Sequence, residues 1–401
     1  MPEIGAPSAR LFETARIWVQ AGHQVEVVTC LPSHPFGRLY PGYKNRIRMG
    51  EDIDGITVHR HWTYRTENKG FLRRVAGHAS FLPASGWFST PRLNHPQVVI
   101  GSSPTFFAAM AARAAARRFS APFVLEIRDL WPEIFTDLGI LTNPWIIRYL
   151  HSWAQWLYRE ADRVVSVTES FTEHIERLGV PAKKLVTITN GADTDYWKPG
   201  ERTKARLKLG WKNDEFVVLY VGAHGISHGL SALLKTAERL SDTAGLRFVF
   251  VGDGAEKAQL VKTAREKNLS NVTFCDAVPR DQVRVFYQAA DLSAVPLRDV
   301  HLFSKFIPSK IFEILASGVP LIGALRGEAA EIVERSQGGV VVSPEDHGAL
   351  ARAIVELRSS PARLKEMSLA GRDFVSRHYS RRVLAERYLE ALKDTIREAA
   401  P

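Results

Sequence analysis

At 401 residues, 45% hydrophobic and 24% charged, the chain has an ordinary globular composition and exceeds what one core usually supports, so two domains are expected. No stretch approaches the roughly 20 apolar residues that span a bilayer, and the first residues lack the basic start and apolar run of a secretory signal, so the expected location is cytoplasmic. The formal net charge of +10 attracts polyanions in general, but no nucleic-acid recognition motif accompanies it, and a nucleic-acid partner is not expected.

Residues 8–21 predict an amphipathic helix with Leu11, Ala15 and Trp18 on its apolar face, between Pro7 and Gly22. Short β-branched runs follow at 25–29, 97–101, 122–127 and 163–167, separated by helical stretches such as 104–118 and 145–160. The pattern restarts after residue 200 with strands at 216–222, 246–252, 319–323 and 338–342 and helices at 229–240 and 255–268. Alternating strands and helices predict parallel sheets, hence an α/β chain of two doubly wound Rossmann-like domains. The Gly, Asn, Asp and Pro of TNGADTDYWKPG (189–200) mark the joint, dividing the chain into 1–190, 191–379 and a final helix at 380–401. A Rossmann-like domain normally begins with a strand, and no apolar strand precedes Pro2, so the expectation is that the start as given lies downstream of that strand. Cys30 and Cys275 are expected to be reduced thiols.

Residues 38–74 carry nine basic residues (Arg38, Lys44, Arg46, Arg48, Arg60, Arg65, Lys69, Arg73, Arg74) against four acids (Glu51, Asp52, Asp54, Glu67). The segment FLRRVAGHASFLPASGWF begins within that stretch and continues beyond it, and the mixture suits either an anionic membrane surface or a solvated basic face beside a core helix.

In the second domain, Gly222, Gly225 and Gly229 lie in a loop that runs into a helix, and Gly252 and Gly254 end the next strand. Glycines there let backbone N–H groups approach a diphosphate, although such loops also serve simply to turn the chain. In FIPSKIFEILASGVPLI (306–322), Pro308 and Ser309 open a helix, and Lys310 and Glu313 share one face. By composition alone that pair is also a plain surface ion pair. Two constellations are set aside as metal sites: Asp193-Thr194-Asp195 reads as turn chemistry, and His59 and His61, alternate in a strand, read as surface histidines.

Taken together, PEIGAPSARLFE with AGHQVEVVT, EIRDLWPE, TNGADTDYWKP and PSKIFEILASGVPLI resemble, in order, the blocks of the family 4 glycosyltransferases, in the branch similar to WbuB-like fucosamine transferases. The resemblance implies a GT-B fold: two Rossmann-like domains facing a cleft, acceptor mainly on the first, nucleotide-diphosphate sugar on the second, and the final helix crossing back to the first. It implies transfer with retention and without metal or cofactor, the nucleotide-sugar being a substrate. By the same resemblance Glu313 binds the donor ribose and Ser309 and Lys310 approach the diphosphate, while Gly222, Gly225, Gly252 and Gly254 of the two loops, with His228 and Arg298, are expected to complete the donor site. Gly5, Arg128 and Asp129 fall on the acceptor side, and the acceptor is a saccharide or a lipid-linked saccharide. The chain departs from the family pattern at Lys305, where an earlier Glu is usual, and at Ala223 and His228, where Arg and Lys are common. Lys310, Arg298 or His228 is therefore expected to supply the positive charge. A sugar-nucleotide epimerase and a non-catalytic nucleotide-sugar-binding protein are the alternatives.

Overall fold

The computed structural model describes residues 6–33, 37–65, 71–103, 105–137, 139 and 141–399. The chain divides into two compact units, Met1–Thr189 with Leu384–Pro401, and Asn190–Val383. No described helix is long and apolar enough to cross a membrane.

The first unit runs α1 (Ala6–Gln20), β1 (Glu26–Cys30), β2 (Arg48–Ile53), β3 (Ile56–His61), α2 (Phe71–Ala84), β4 (Val99–Ser102), α3 (Phe106–Phe119), β5 (Phe123–Ile127), α4 (Glu133–Asp137), α5 (Pro144–Glu160), β6 (Arg163–Ser166), α6 (Glu169–Arg177) and β7 (Leu185–Thr187). Its described strands form two sheets, β1-β3-β2 and β4-β5-β6-β7. The second is wholly parallel; in the first, β2 runs antiparallel to β3. The β2–β3 hairpin interrupts the expected alternation. Its turn is Asp54-Gly55, both at positive φ (54° and 81°), the twist-matching geometry of a two-residue hairpin loop. Among the described residues no strand pairs with the other edge of β1 or of β4.

The helix α1 buries Ala15 and Trp18 as periodicity predicts, but its buried stripe is rotated away from Leu11. Leu11 is 42% exposed, whereas Arg10, Glu13 and Thr14 are buried with Ala15 and Trp18. The rotation has a polar cause: the Arg10 guanidinium pairs with the buried carboxylate of Glu126 on β5 (3.0 Å) and donates to the carbonyls of Ile188 and Thr189.

The second unit continues with α7 (Arg202–Leu209), β8 (Phe216–Val221), α8 (Leu230–Arg239), β9 (Leu246–Val251), α9 (Lys257–Glu266), β10 (Val272–Cys275), α10 (Arg280–Ala289), β11 (Leu292–Pro296), α11 (Lys310–Ala316), β12 (Leu321–Ala324), α12 (Glu328–Ser336), β13 (Gly339–Val342), α13 (His347–Arg358) and α14 (Pro361–His378). Its sheet is parallel throughout, in the order β10-β9-β8-β11-β12-β13. That is the doubly wound dinucleotide order, with its switch point between β8 and β11, where ligands bind beyond the carboxyl ends of the strands. Successive strand residues enter opposite cores: Val217 and Leu219 pack in one with α11, Val218 and Tyr220 in the other with α8. Fully burying each such side chain contributes about 1.5–3 kcal/mol, and burial on both faces explains why the strands read as continuous apolar runs.

Of the expected joint at 189–200, most is built into the second unit. Ala192 bridges to Ser380, and Trp197 is buried against Tyr287. The last helix, α15 (Arg381–Ala399), sends Leu384, Ala385, Tyr388 and Leu392 into one core with Trp18, Val124, Val165 and Ile188 of the first unit. Cys30 and Cys275 lie in different units and are not bridged.

Candidate active site

At the carboxyl edge of the second sheet the two glycine loops interlock. The His224 N–H donates to the Asp253 carbonyl (2.8 Å), and the Glu256 N–H to the His224 carbonyl (2.9 Å). Gly252, at φ 146°, lies against the Gly222 carbonyl so closely that a Cβ could not be fitted. A Cβ on Gly254 would meet the His224 backbone, whereas Gly225 has room for one. The Arg298 N–H donates to Ser227 (3.1 Å), fastening the end of the first loop to the segment after β11.

Buried Ile311, Phe312, Ile314 and Leu315 seat α11 in the core opposite Tyr220. Lys310 therefore reaches past the end of β8, and it does so at Gly222, where a Cβ would collide with its Nζ. The Nζ donates to the Tyr220 hydroxyl (3.1 Å) and lies 4.2 Å from the ring centroid. Burial lowers its pKa to about 7, against the opposing pull of Glu313 one turn on. An anion arriving here would restore the full charge. Ser309 stands at the N-cap with helical φ and ψ, and its side chain makes no capping hydrogen bond.

His228 corrects one expectation. Burial, reinforced by the charge of Lys310, pushes its pKa down to about 3, so near neutrality it offers a hydrogen bond and not a positive charge. The remaining cations are Lys310 and Arg298, the latter half-exposed with its Nε 3.6 Å from Glu345. His224, absent from the expected set, is wholly buried among Tyr220, Phe250 and Phe274, and its ring nitrogens have no hydrogen-bond partner among the described residues. Burial holds it neutral, with its pKa at about 4. Its sequence signal was an apolar context around a histidine inside a glycine loop.

In the first unit, Arg128 and Asp129 follow β5. The Arg128 Nε donates to the Ser103 carbonyl (2.8 Å), and no ion pair joins the two side chains among the described residues. Asp129 is raised to about 6 because burial outweighs the nearby Arg128 charge. The Glu126 carboxylate behind them accepts from Ser102 (2.9 Å) and Arg10. Gly5 lies outside the described residues.

The histidines set aside as surface residues are not at the surface. His61 is fully buried although alternation puts it on the face of Thr57 and His59, because Ser89 (3.0 Å from its Nδ1) and the Phe81 ring cover that end of β3. His59 is mostly covered and lies 2.6 Å from Glu26. Asp193 accepts from the N–H groups of Asp195 and Tyr196, a turn in which the D-x-D carboxylate serves the backbone.

Two family profiles match the chain: Glycosyl transferase 4-like domain over residues 5–191 and Glycosyl transferases group 1 over residues 201–374. The chain belongs to the family 4 glycosyltransferases, with the two-Rossmann-domain GT-B fold. It is 25% identical to a protein described as a colanic acid biosynthesis glycosyl transferase, WcaI of Escherichia coli (strain K12), over 92% of this chain and 90% of that one. It is 26% identical to D-inositol 3-phosphate glycosyltransferase 1 of Catenulispora acidiphila, over 90% and 84%. Among solved structures, sucrose-phosphate synthase from Thermosynechococcus elongatus superposes with a TM-score of 0.76 at 18% identity, covering 99% of this chain and 94% of that one. Anabaena Alr3699/HepE in complex with UDP and glucose gives 0.66 at 20% identity, covering 85% and 87%. The chain is thus a glycosyltransferase that uses a nucleotide-sugar donor.

Proposed function

We propose that this enzyme transfers a hexosyl group, an N-acetylated deoxyhexose linked to UDP, with retention and without a metal, onto a saccharide or lipid-linked saccharide in surface polysaccharide synthesis. The observation that carries the donor assignment is Lys310 threaded past Gly222 onto Tyr220, one turn before Glu313 and beside two interlocked glycine loops. In this reading the diphosphate sits over the loop N–H groups and Lys310, and the Glu313 carboxylate accepts from two ribose hydroxyls. UDP is favoured because the HepE structure carries it, and a polysaccharide acceptor because the WcaI relative is described as acting in colanic acid biosynthesis.

The acceptor hydroxyl attacks the anomeric carbon on the face that the diphosphate leaves. The new C–O bond forms as the bond to the diphosphate breaks, a phosphate oxygen takes the hydroxyl proton, and Lys310 and Arg298 stabilise the departing charge. Asp129 orients the acceptor. The enzyme works at the cytoplasmic face of the membrane, peripherally held, with exposed Arg73 of the basic segment toward anionic lipid.

The test is incubation of the full chain with UDP-sugars and a lipid-linked or saccharide acceptor, with and without a chelator, followed by NMR of the product. The expected product keeps the donor's anomeric configuration and forms equally with chelator. Inverted product or chelator-abolished transfer overturns the mechanism. Donor interconversion without acceptor would make the chain an epimerase, and binding without turnover a non-catalytic protein.

A further inference from the structure

The chain leads from Asp129 through α4 directly into α5, and the two halves of α5 differ. Its second half is packed: Ala154, Leu157 and Tyr158 are buried, Trp153 meets Phe107 of α3 edge to face, and Arg113 of α3 stacks over Trp156 and pairs with Glu160. Its first turns project from that anchor. Trp145 is 76% exposed, Tyr149 57% and Ile146 46%, with Pro144 and Arg148 exposed beside them. The tip is held helical in advance by Asn143, whose side chain accepts from the N–H groups of Trp145 and Ile146.

Three large apolar side chains exposed together within two helical turns form the kind of contiguous patch that marks an interaction surface. The sequence around them contains no acid between Asp137 and Glu160, while Arg148, His151 and Arg159 fall there. The Arg148 guanidinium lies 5.5 Å from the centroid of Trp145. Trp and Tyr next to aliphatic side chains and Arg, without acids, is the chemistry of a bilayer's headgroup boundary. The same residue chemistry recurs on α2, which also packs on α3, where Arg73 and Val75 are exposed, and at Trp87 just beyond it, which is 76% exposed.

We propose that the first turns of α5 dock on an anionic phospholipid surface, with Trp145, Ile146 and Tyr149 entering the headgroup boundary and Arg148 meeting lipid phosphates. The proposal rests on the membrane-side reading above and deepens it by naming the inserting element. Glu133 of α4 lies 3.6 Å from His151 of α5 and 2.9 Å from His174, so the docking helix is tied to the segment that carries Asp129. A lipid-linked acceptor held at that surface would present its saccharide close to the residue expected to orient it.

The experiment is sedimentation of the full chain with phosphatidylcholine vesicles, with and without phosphatidylglycerol, for the wild type and the Trp145→Ser/Tyr149→Ser variant. Sedimentation velocity without lipid and a UDP titration accompany it. The expected result is partition onto the phosphatidylglycerol vesicles, weakened about tenfold or more in the variant, with an unchanged response to UDP. Equal partition of both proteins overturns the α5 assignment while leaving the membrane reading intact. No partition by the wild type overturns both. A wild-type dimer abolished by the variant assigns the tip to a second copy of the chain instead and likewise overturns the proposal.

Discussion

The Lys310 Nζ lies over the ring of Tyr220, 4.2 Å from its centroid, and donates to its hydroxyl at 3.1 Å, while that hydroxyl donates onward to the Ala223 carbonyl at 2.6 Å. The lysine is thus held at the mouth of the first glycine loop by an aromatic face, and among the described residues no carboxylate forms an ion pair with it, although Glu313 one turn on favours its charge.

This arrangement makes donor binding depend on pH. Burial brings the Lys310 pKa to about 7, and a bound diphosphate favours the charged form. Above that pH, binding must take up a proton, so nucleotide affinity falls by up to about tenfold per pH unit, and Lys310→Met removes the dependence. Calorimetry in buffers of different ionisation enthalpy reads the uptake directly. Wild-type affinity that stays flat through this range contradicts the assignment. For folding the sign is opposite: the unfolded lysine keeps its proton to about pH 10, so its burial cost is full below 7 and relieved as pH rises.

Gly222→Ala should damage the site more than Gly225→Ala. At Gly222 the backbone has φ 143° and the new methyl group would occupy the path of Lys310, whereas at Gly225 it would sit 3.7 Å from His228, an ordinary contact. The expected outcome is about 1–3 kcal/mol of lost stability and at least about a tenfold loss of nucleotide affinity for the first variant. The second should stay near wild type. Thermal denaturation with and without nucleotide compares them.

Removing Arg10 leaves the Glu126 carboxylate, wholly buried, without its cationic partner. Arg10→Ala is expected to cost about 3–5 kcal/mol in urea unfolding. Arg10→Met combined with Glu126→Gln should cost clearly less, because no charge is then stranded. Equal losses would assign the effect to packing.

Asp129 has a pKa raised to about 6 by burial, above the roughly 3.9 of an unfolded aspartate. Its contribution to stability is present at low pH and is lost as pH rises through 6, leaving a buried carboxylate that costs up to about 3 kcal/mol at neutral pH. Asp129→Asn should therefore unfold later than wild type at neutral pH and lose the advantage in acid. If Asp129 orients the acceptor, the same variant loses about 100-fold in transfer while nucleotide affinity is kept.

The two domains were legible because the four central strands of the second sheet are largely buried on both faces, so FVVLYV appears as an unbroken apolar run and LRFVFV as one interrupted by Arg247 alone. The glycine loops and Lys310 with Glu313 were legible because they are local in sequence. Tyr220 as the partner of Lys310 was not, since the two are 90 residues apart and a tyrosine within a core strand carries no mark of its polar end. On α1 Ala15 and Trp18 are buried as read, and only Leu11 misled, because apolar periodicity cannot anticipate a buried charge pair: Arg10 turns inward toward Glu126, and Leu11 turns out. The β2–β3 hairpin had a signal in Asp54-Gly55, obscured by flanking strands rich in charge.

Calorimetric titration of UDP, GDP and ADP into the full chain, repeated with Lys310→Ala and Glu313→Ala, tests the donor site most directly. The account predicts that one diphosphate binds and that each variant weakens it by about 1–3 kcal/mol, the loss of a charge-assisted hydrogen bond. Binding of no nucleotide, or binding that neither substitution changes, would contradict it.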